Sequence, residues 1–204
     1  THIGNAVDTE VFSPRDKLRC KRKFGLPENV PVVVFGATDT TIPYKGFSFL
    51  LQALHILKDQ GINLHLVIFG QNPPKQPIPF PSTYVGCMSG NDLPEVYSAA
   101  DILVSPSLQE CFGMVISEAS ACETPCVAFD VGGVSDVILD GHTGFLAQPH
   151  NATHLAQCIT RMLVDRDLSV QFGKNARKHI LDNFDSALIA QKHIELYNRV
   201  VNEK

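Results

Sequence analysis

From Pro31 onward, short runs of β-branched and apolar residues alternate with stretches of helical periodicity, and that alternation leaves few folds open to the chain. Pro31 to Ala37 (PVVVFGA) reads as a buried strand. Lys45 to Gln60 follows as a helix whose Phe49, Leu50, Ala53, Leu54 and Leu57 share one face, and Leu64 to Gly70 (LHLVIFG) as the next strand. The same rhythm continues with strands at Thr83 to Val85, Asp101 to Ser105, Pro125 to Phe129 and Thr143 to Ala147, and with a helix over Gly113 to Ala121. The expected class is α/β, a doubly wound and mostly parallel sheet with helices on both faces.

The stretch Gln71 to Pro81 carries Pro73, Pro74, Pro77, Pro79 and Pro81, so it must be a surface connection rather than a helix or central strand. A helix opens near Asn91, with Asn91 or Asp92 as its cap. Helical stretches over Ala152 to Leu163, Asp167 to Leu181 and Ser186 to Asn202 close the chain. At 204 residues the length fits one domain, 1–204, with 185–204 as a C-terminal helix. The chain begins at Thr1 without Met, which suggests a fragment.

Seventeen Lys and Arg against 21 Asp and Glu leave a net charge of −4, the wrong sign for a protein that neutralises a nucleic-acid backbone. Nucleic acid is therefore not an expected partner. One basic cluster, Arg15, Lys17, Arg19, Lys21, Arg22 and Lys23, reads as a solvated face, with peripheral contact to an anionic membrane as the sharper alternative. The six cysteines, at 20, 87, 111, 122, 126 and 158, show neither CxxC pairs nor Cys/His metal spacing, and Cys122 and Cys126 read as buried free thiols. That usage fits a reducing, cytoplasmic setting. No apolar run reaches the length of a membrane span, and Thr1 to Asp8 lacks a signal-peptide pattern.

In open α/β sheets ligands sit beyond the carboxyl ends of strands, so the loops there are the informative ones. Glycines mark several of them, Gly36, Gly70, Gly86 and Gly132-Gly133, where backbone can approach a ligand or simply make a tight turn. No G-x-G-x-x-G or Walker sequence occurs. The richest stretch is Ser105 to Glu118, S-P-S-L-Q-E-C-F-G-M-V-I-S-E. Glu110 sits in its loop and Glu118 within the helix that starts near Gly113, a separation on the order of 12 Å if most of the interval is helical. Two carboxylates so far apart cannot share a proton or a metal. They suit two grips on an extended ligand, with the N–H groups of Phe112, Gly113 and Met114 directed at an anion between them, and equally suit a dipole-stabilised loop carboxylate plus a surface Glu.

The sequence resembles the C-terminal domain of retaining glycosyltransferases of the two-domain GT-B class, in the large family with mannosyl- and glucosyltransferases and sucrose synthase. The resemblance rests on N-A-V-D-T-E-V-F at Asn5 to Phe12, K-G-F at Lys45 to Phe47, L-P-E-V-Y-S-A-A-D-I-L-V-S-P-S-L-Q-E-C-F-G at Leu93 to Gly113, G-G-V-S-D-V-I at Gly132 to Ile138 and D-G-H-T-G-F-L at Asp140 to Leu146, with the E-x7-E pair in their midst. It implies a Rossmann-like half of a GT-B fold that binds a nucleoside-diphosphate sugar, with the acceptor domain N-terminal to it and absent here. By the same resemblance Lys45 neutralises the donor diphosphate, Glu110 contacts the transferred sugar and Glu118 the ribose hydroxyls. Backbone at Phe112, Gly113 and Met114 would hold sugar and phosphate oxygens, Cys87-Met88 would meet the base, and Gly36 would let the chain approach the donor. Lys45 and Glu110 are the catalytic candidates.

The resemblance further implies retention of anomeric configuration by a front-face route in which the leaving phosphate helps take the acceptor proton, so Glu110 is not read as a nucleophile. No metal and no cofactor are expected at the diphosphate. Two departures stand out: Ala37-Thr38 where the family commonly has a phosphate-binding Arg, and Ala6 where it usually has Gly, which matters only if that position needs positive φ. His142 reads as a solvent-facing turn residue rather than one at the cleft mouth. A non-catalytic nucleotide-sugar-binding module, and half of a GT-B-fold epimerase or phosphorylase, remain as alternative readings.

Overall fold

The β-branched runs become six strands, Val32–Gly36 (β1), His65–Phe69 (β2), Ser82–Gly86 (β3), Ile102–Ser105 (β4), Cys126–Phe129 (β5) and Gly144–Ala147 (β6), in a computed structural model that describes residues 3–202. Every pairing among them is parallel, in the order β3-β2-β1-β4-β5-β6. The order reverses between β1 and β4, and at such a switch point the loops diverge to leave a crevice at the carboxyl edge.

Side chains alternate between two cores. Val32, Val34, Val67 and Leu103 face one layer with Tyr97, Ile116 and Ile180, while Val33, Phe35, Ile68 and Val104 face the other with Leu50, Leu54, Leu155 and Ile159. The first layer holds helices Lys17–Lys23 (α1), Asp92–Ala99 (α3) and Met114–Ala121 (α4); the second holds Phe47–Asp59 (α2) and Ala152–Val164 (α6). Arg166–Asn183 (α7) contributes Ile180 to one core and Phe172 to the other. A single turn, Val134–Val137 (α5), follows β5, and Ser186–Asn202 (α8) is the last helix. The ends of the expected ranges 1–204 and 185–204 fall outside the described residues.

The sequence reading differs from the fold at its edges. The basic cluster includes a helix, α1, capped by the Asp16 side chain, and four of its cations are paired with carboxylates: Lys17 and Lys21 on Asp101, Arg22 on Glu28, Lys23 on Asp92 and Glu95. Asp101, Asp92 and Glu95 come from distant segments, so composition alone made the run look solvated. Neither Asn91 nor Asp92 caps α3: the Asn91 side chain makes no cap hydrogen bond, and Asp92 turns to Lys23. Lys45 does not open α2 but ends a short 3-10 turn, Pro43–Lys45, after which Gly46 caps the helix that begins at Phe47. Ala6 has no positive φ, so its replacement of Gly carries no strain; next to it Val7 exchanges backbone hydrogen bonds with Phe184 and Ser186, tying the start of the chain to α8. Among the described residues no helix is long and apolar enough to cross a membrane.

Candidate functional site

At the carboxyl edge between β1 and β4, Lys45 and Glu110 meet although 65 residues separate them: Lys45 Nζ donates to Glu110 Oε2 at 2.9 Å. Both side chains are about one-fifth exposed (21% and 20%), so the pair is neither solvated nor sealed. Two close contacts hold it there. Gly46, at φ 73°, packs so tightly on the Pro106 carbonyl that any Cβ would overlap that oxygen, and Leu108 N–H donates to Tyr44 O at 2.7 Å. The lysine turn and the Glu110 loop are thereby one unit.

From the other side, Gly132 at φ 53° lies against the backbone of Glu110, where a Cβ would overlap the Glu110 carbonyl oxygen, and Gly133 N–H donates to that same carbonyl at 3.3 Å. The glycine pair after β5 therefore approaches protein backbone, the loop that carries Glu110, rather than a ligand. Phe112 anchors the far end of this loop, buried edge-on against Phe184 with ring centroids 5.1 Å apart.

The cleft so framed is about 210 Å³, lined by Lys45 and Glu110 together with Gly36, Thr38, Ser105, Ser107, Gly113, Met114, Val115 and Ile116. Gly113 is the N-cap of α4 and supplies no side-chain cap. The N–H groups of the first turn of α4 therefore have no partner within the helix, and they carry its positive dipole end. A lysine, a helix N-terminus and several hydroxyls around one small space make an anion site with a carboxylate at its margin.

The structure thus brings five of the expected residues into one space, Gly36, Lys45, Glu110, Gly113 and Met114. The other four lie outside its walls. Glu118, about one turn along α4, accepts a hydrogen bond from Tyr97 O–H at 2.8 Å. Burial pushes its carboxyl above the usual value, with the Tyr97 hydrogen bond pulling the other way. A half-buried carboxylate held up in this way, away from any cation, is a costly feature to keep without a ligand. Cys87 is exposed and Met88 half-buried in the loop that leaves β3. Phe112 turns its ring into the core.

Sequence reading missed Thr38, Ser105, Ser107 and Tyr97. Thr38 lines the cleft directly after β1, where the Arg of the resemblance would stand. The only signal for the two serines was the S-P-S run itself, and for Tyr97 there was none. His142 is exposed and sits in a turn, its N–H bonded to Leu139 O, as expected. A larger cavity, about 660 Å³, lies on the other side of the Pro43–Lys45 turn, between Thr40 to Pro43 and Asn72 to Gln76, and contains none of the site residues. Its walls are mostly loop and proline, and size alone does not make it the reactive centre. Among the described residues no group of three His, Cys, Asp or Glu stands together as a metal site. Cys122 and Cys126 are buried free thiols, and burial pushes both up to about 12.

Comparison with known proteins adds to this geometry. The family described as "Glycosyl transferases group 1" matches residues 16–179. A D-inositol 3-phosphate glycosyltransferase of Stackebrandtia nassauensis is 32% identical over 191 residues, covering 85% of this chain and 43% of that protein. Sucrose-phosphate synthase from Thermosynechococcus elongatus superposes with a TM-score of 0.86 at 28% identity, over 99% of this chain and 53% of the other. Anabaena HepE, solved in complex with UDP-glucose, superposes with a TM-score of 0.81 at 25% identity, over 97% and 57% of the two chains. The chain spans about half the length of these relatives, from 43% to 57%.

Proposed function

The chain belongs to the group 1 glycosyltransferases, and from that premise we propose that it is the donor-binding half of a retaining enzyme that moves a sugar from a nucleoside diphosphate to an acceptor. The observation that carries the reading is the Lys45–Glu110 pair at 2.9 Å, beside an uncapped helix N-terminus, at the switch point of the sheet. In this reading Lys45 and the first turn of α4 take the diphosphate, and both present positive charge where negative charge grows as the sugar departs. Glu110, within reach of Lys45, orients the transferred sugar, and Glu118 holds the ribose from its place further along α4. The loop at Cys87-Met88 meets the base. The UDP-glucose held by the Anabaena relative supports a nucleotide sugar as ligand. No metal is required, because lysine and helix supply the positive charge.

The direct test is calorimetry of the chain with UDP, GDP and ADP. Binding of one of them at micromolar to millimolar concentration is expected, and no binding of any would overturn the reading. We also propose that the acceptor is held by protein outside these residues. Orientation of two reactants contributes roughly 7–11 kcal/mol to such a step. The chain alone should therefore give no detectable transfer in an assay where the longer protein forms product, and comparable transfer by both would refute the two-part arrangement.

A further inference from the structure

Buried hydroxyls in a folded protein are almost always engaged. Among the described residues, eight of the nine buried serines and threonines obey this, for example Ser117 on Met114 O and Thr124 on Tyr97 O, both at about 2.8–2.9 Å. The ninth is Ser107. It is only 3% exposed, yet among the described residues its hydroxyl has no hydrogen-bond partner. Among the described residues no side-chain nitrogen or oxygen wholly closed from solvent lacks a partner, so this hydroxyl keeps an opening, and the space that Ser107 lines is the Lys45–Glu110 cleft.

Its position is fixed from both sides in the chain. The preceding Pro106 is held by close packing on Gly46, and the following Leu108 by its 2.7 Å bond to Tyr44 O. A donor locked in place before its ligand arrives loses little entropy on binding. The cleft also needs neutral donors: Lys45 is the single cation among its lining residues and is already shared with Glu110, whereas a diphosphate brings more than one negative charge.

Resting on the donor-site reading above, we infer that Ser107 is a further donor-binding residue, its O–H donating to an oxygen of the second phosphate, the one distal to the nucleoside, alongside Lys45 and the N–H groups of Gly113 and Met114. A structural role would predict that loss of the hydroxyl destabilises the fold. A hydroxyl without a partner predicts no such loss.

The test compares the wild-type chain with Ser107→Ala by calorimetry against UDP, GDP and ADP, each beside its monophosphate, with melting curves for both proteins. For the diphosphate that wild type binds best, the variant should bind about tenfold more weakly or worse, as expected for a lost hydrogen bond to a charged group. The matching monophosphate should change less than about twofold, because it lacks the second phosphate, and the melting temperature should not fall. A Ser107→Ala chain that melts well below wild type would make the hydroxyl structural and would overturn the assignment. Unchanged diphosphate affinity, or an equal loss for both nucleotides, would overturn the assignment while leaving the donor reading intact. A wild-type chain that binds no diphosphate would remove that reading and this inference with it.

Discussion

Two lysine–carboxylate contacts lie at opposite edges of the same sheet, and they are built differently. At the amino edge, Asp101 precedes β4 and accepts from Lys17 Nζ at 2.9 Å, from Lys21 Nζ at 3.4 Å and from Val32 N–H at 2.7 Å. Lys21 is almost sealed, 3% exposed in its side chain, and donates also to the carbonyls of Glu28 and Val30. At the carboxyl edge, Lys45 and Glu110 have one contact with each other and a cleft beside them. In the first arrangement the Asp101 carboxylate and the Lys21 ammonium each have three protein partners, and only Lys17 stays largely open to solvent. The second keeps donors and acceptors in reserve, which is what exchange with a ligand requires.

The sharpest way to break that comparison is to cut one partner on each side. Asp101→Ala leaves Lys21 buried without its counter-charge and Val32 N–H without an acceptor, and should cost about 3–5 kcal/mol in urea unfolding. Lys45→Ala leaves Glu110 free to turn to water in the cleft and should cost about 1 kcal/mol or less. Equal losses would mean that the two edges are not different in kind. Acid titration separates them as well. Burial pushes the Asp101 carboxyl up, but Lys17, the Val32 N–H and Lys21 together outweigh it and hold it below its usual 3.8. The stability it contributes is present above that value and is lost as pH falls through the lower folded value, so Asp101→Asn should flatten the acid limb of a stability curve.

Ligand binding should show the reverse ranking. Lys45→Ala should weaken the nucleoside diphosphate by roughly 1.5–3 kcal/mol, about ten- to a hundredfold, with the fold intact. Glu110→Gln removes the charge that now occupies Lys45. Affinity for the free diphosphate should hold or rise a few-fold, while the preference for the sugar conjugate falls. Equal losses of both ligands in calorimetry would mean that Glu110 does not distinguish sugar from nucleotide.

The smallest effect is expected at Glu118. Its carboxyl is raised by burial, so its folded form favours the proton; charging it costs stability, increasingly as pH rises from the usual 4.5 through the folded value. Glu118→Gln should therefore melt slightly higher than wild type at neutral pH, with the difference vanishing below the unfolded value, while nucleotide affinity drops. A lower melting temperature at neutral pH would make Glu118 a structural residue rather than one kept at a cost for ribose.

Much of this was legible in the residues. β-branched runs and apolar helical periods placed all six strands and most helices, because those patterns are properties of a few neighbouring residues and of the face they must bury. The loop from Ser105 to Gly113, its place after a strand and before a helix, and the resemblance carried by Lys45, Glu110 and Glu118 pointed to the site. The helix α1 was hidden because its charges obscured its period, and the 3-10 turn at Pro43–Lys45 because a three-residue element has no period to read.

The sequence by itself determined an α/β chain with its chemistry after β1 and β4, since local propensity and burial pattern act over a few residues and suffice to place the strands along the chain. Only the tertiary structure decided which side chains meet. Lys45 reaches Glu110 because Gly46 and Gly132 let backbones touch. Lys21 is buried because Asp101 arrives from 80 residues away, and Glu118 meets the Tyr97 hydroxyl from 21 residues away. Ser107 is left without a partner for the same physical reason: a hydrogen bond is made or missed within a few tenths of an ångström, and that precision comes from close packing of distant segments, which no local pattern encodes.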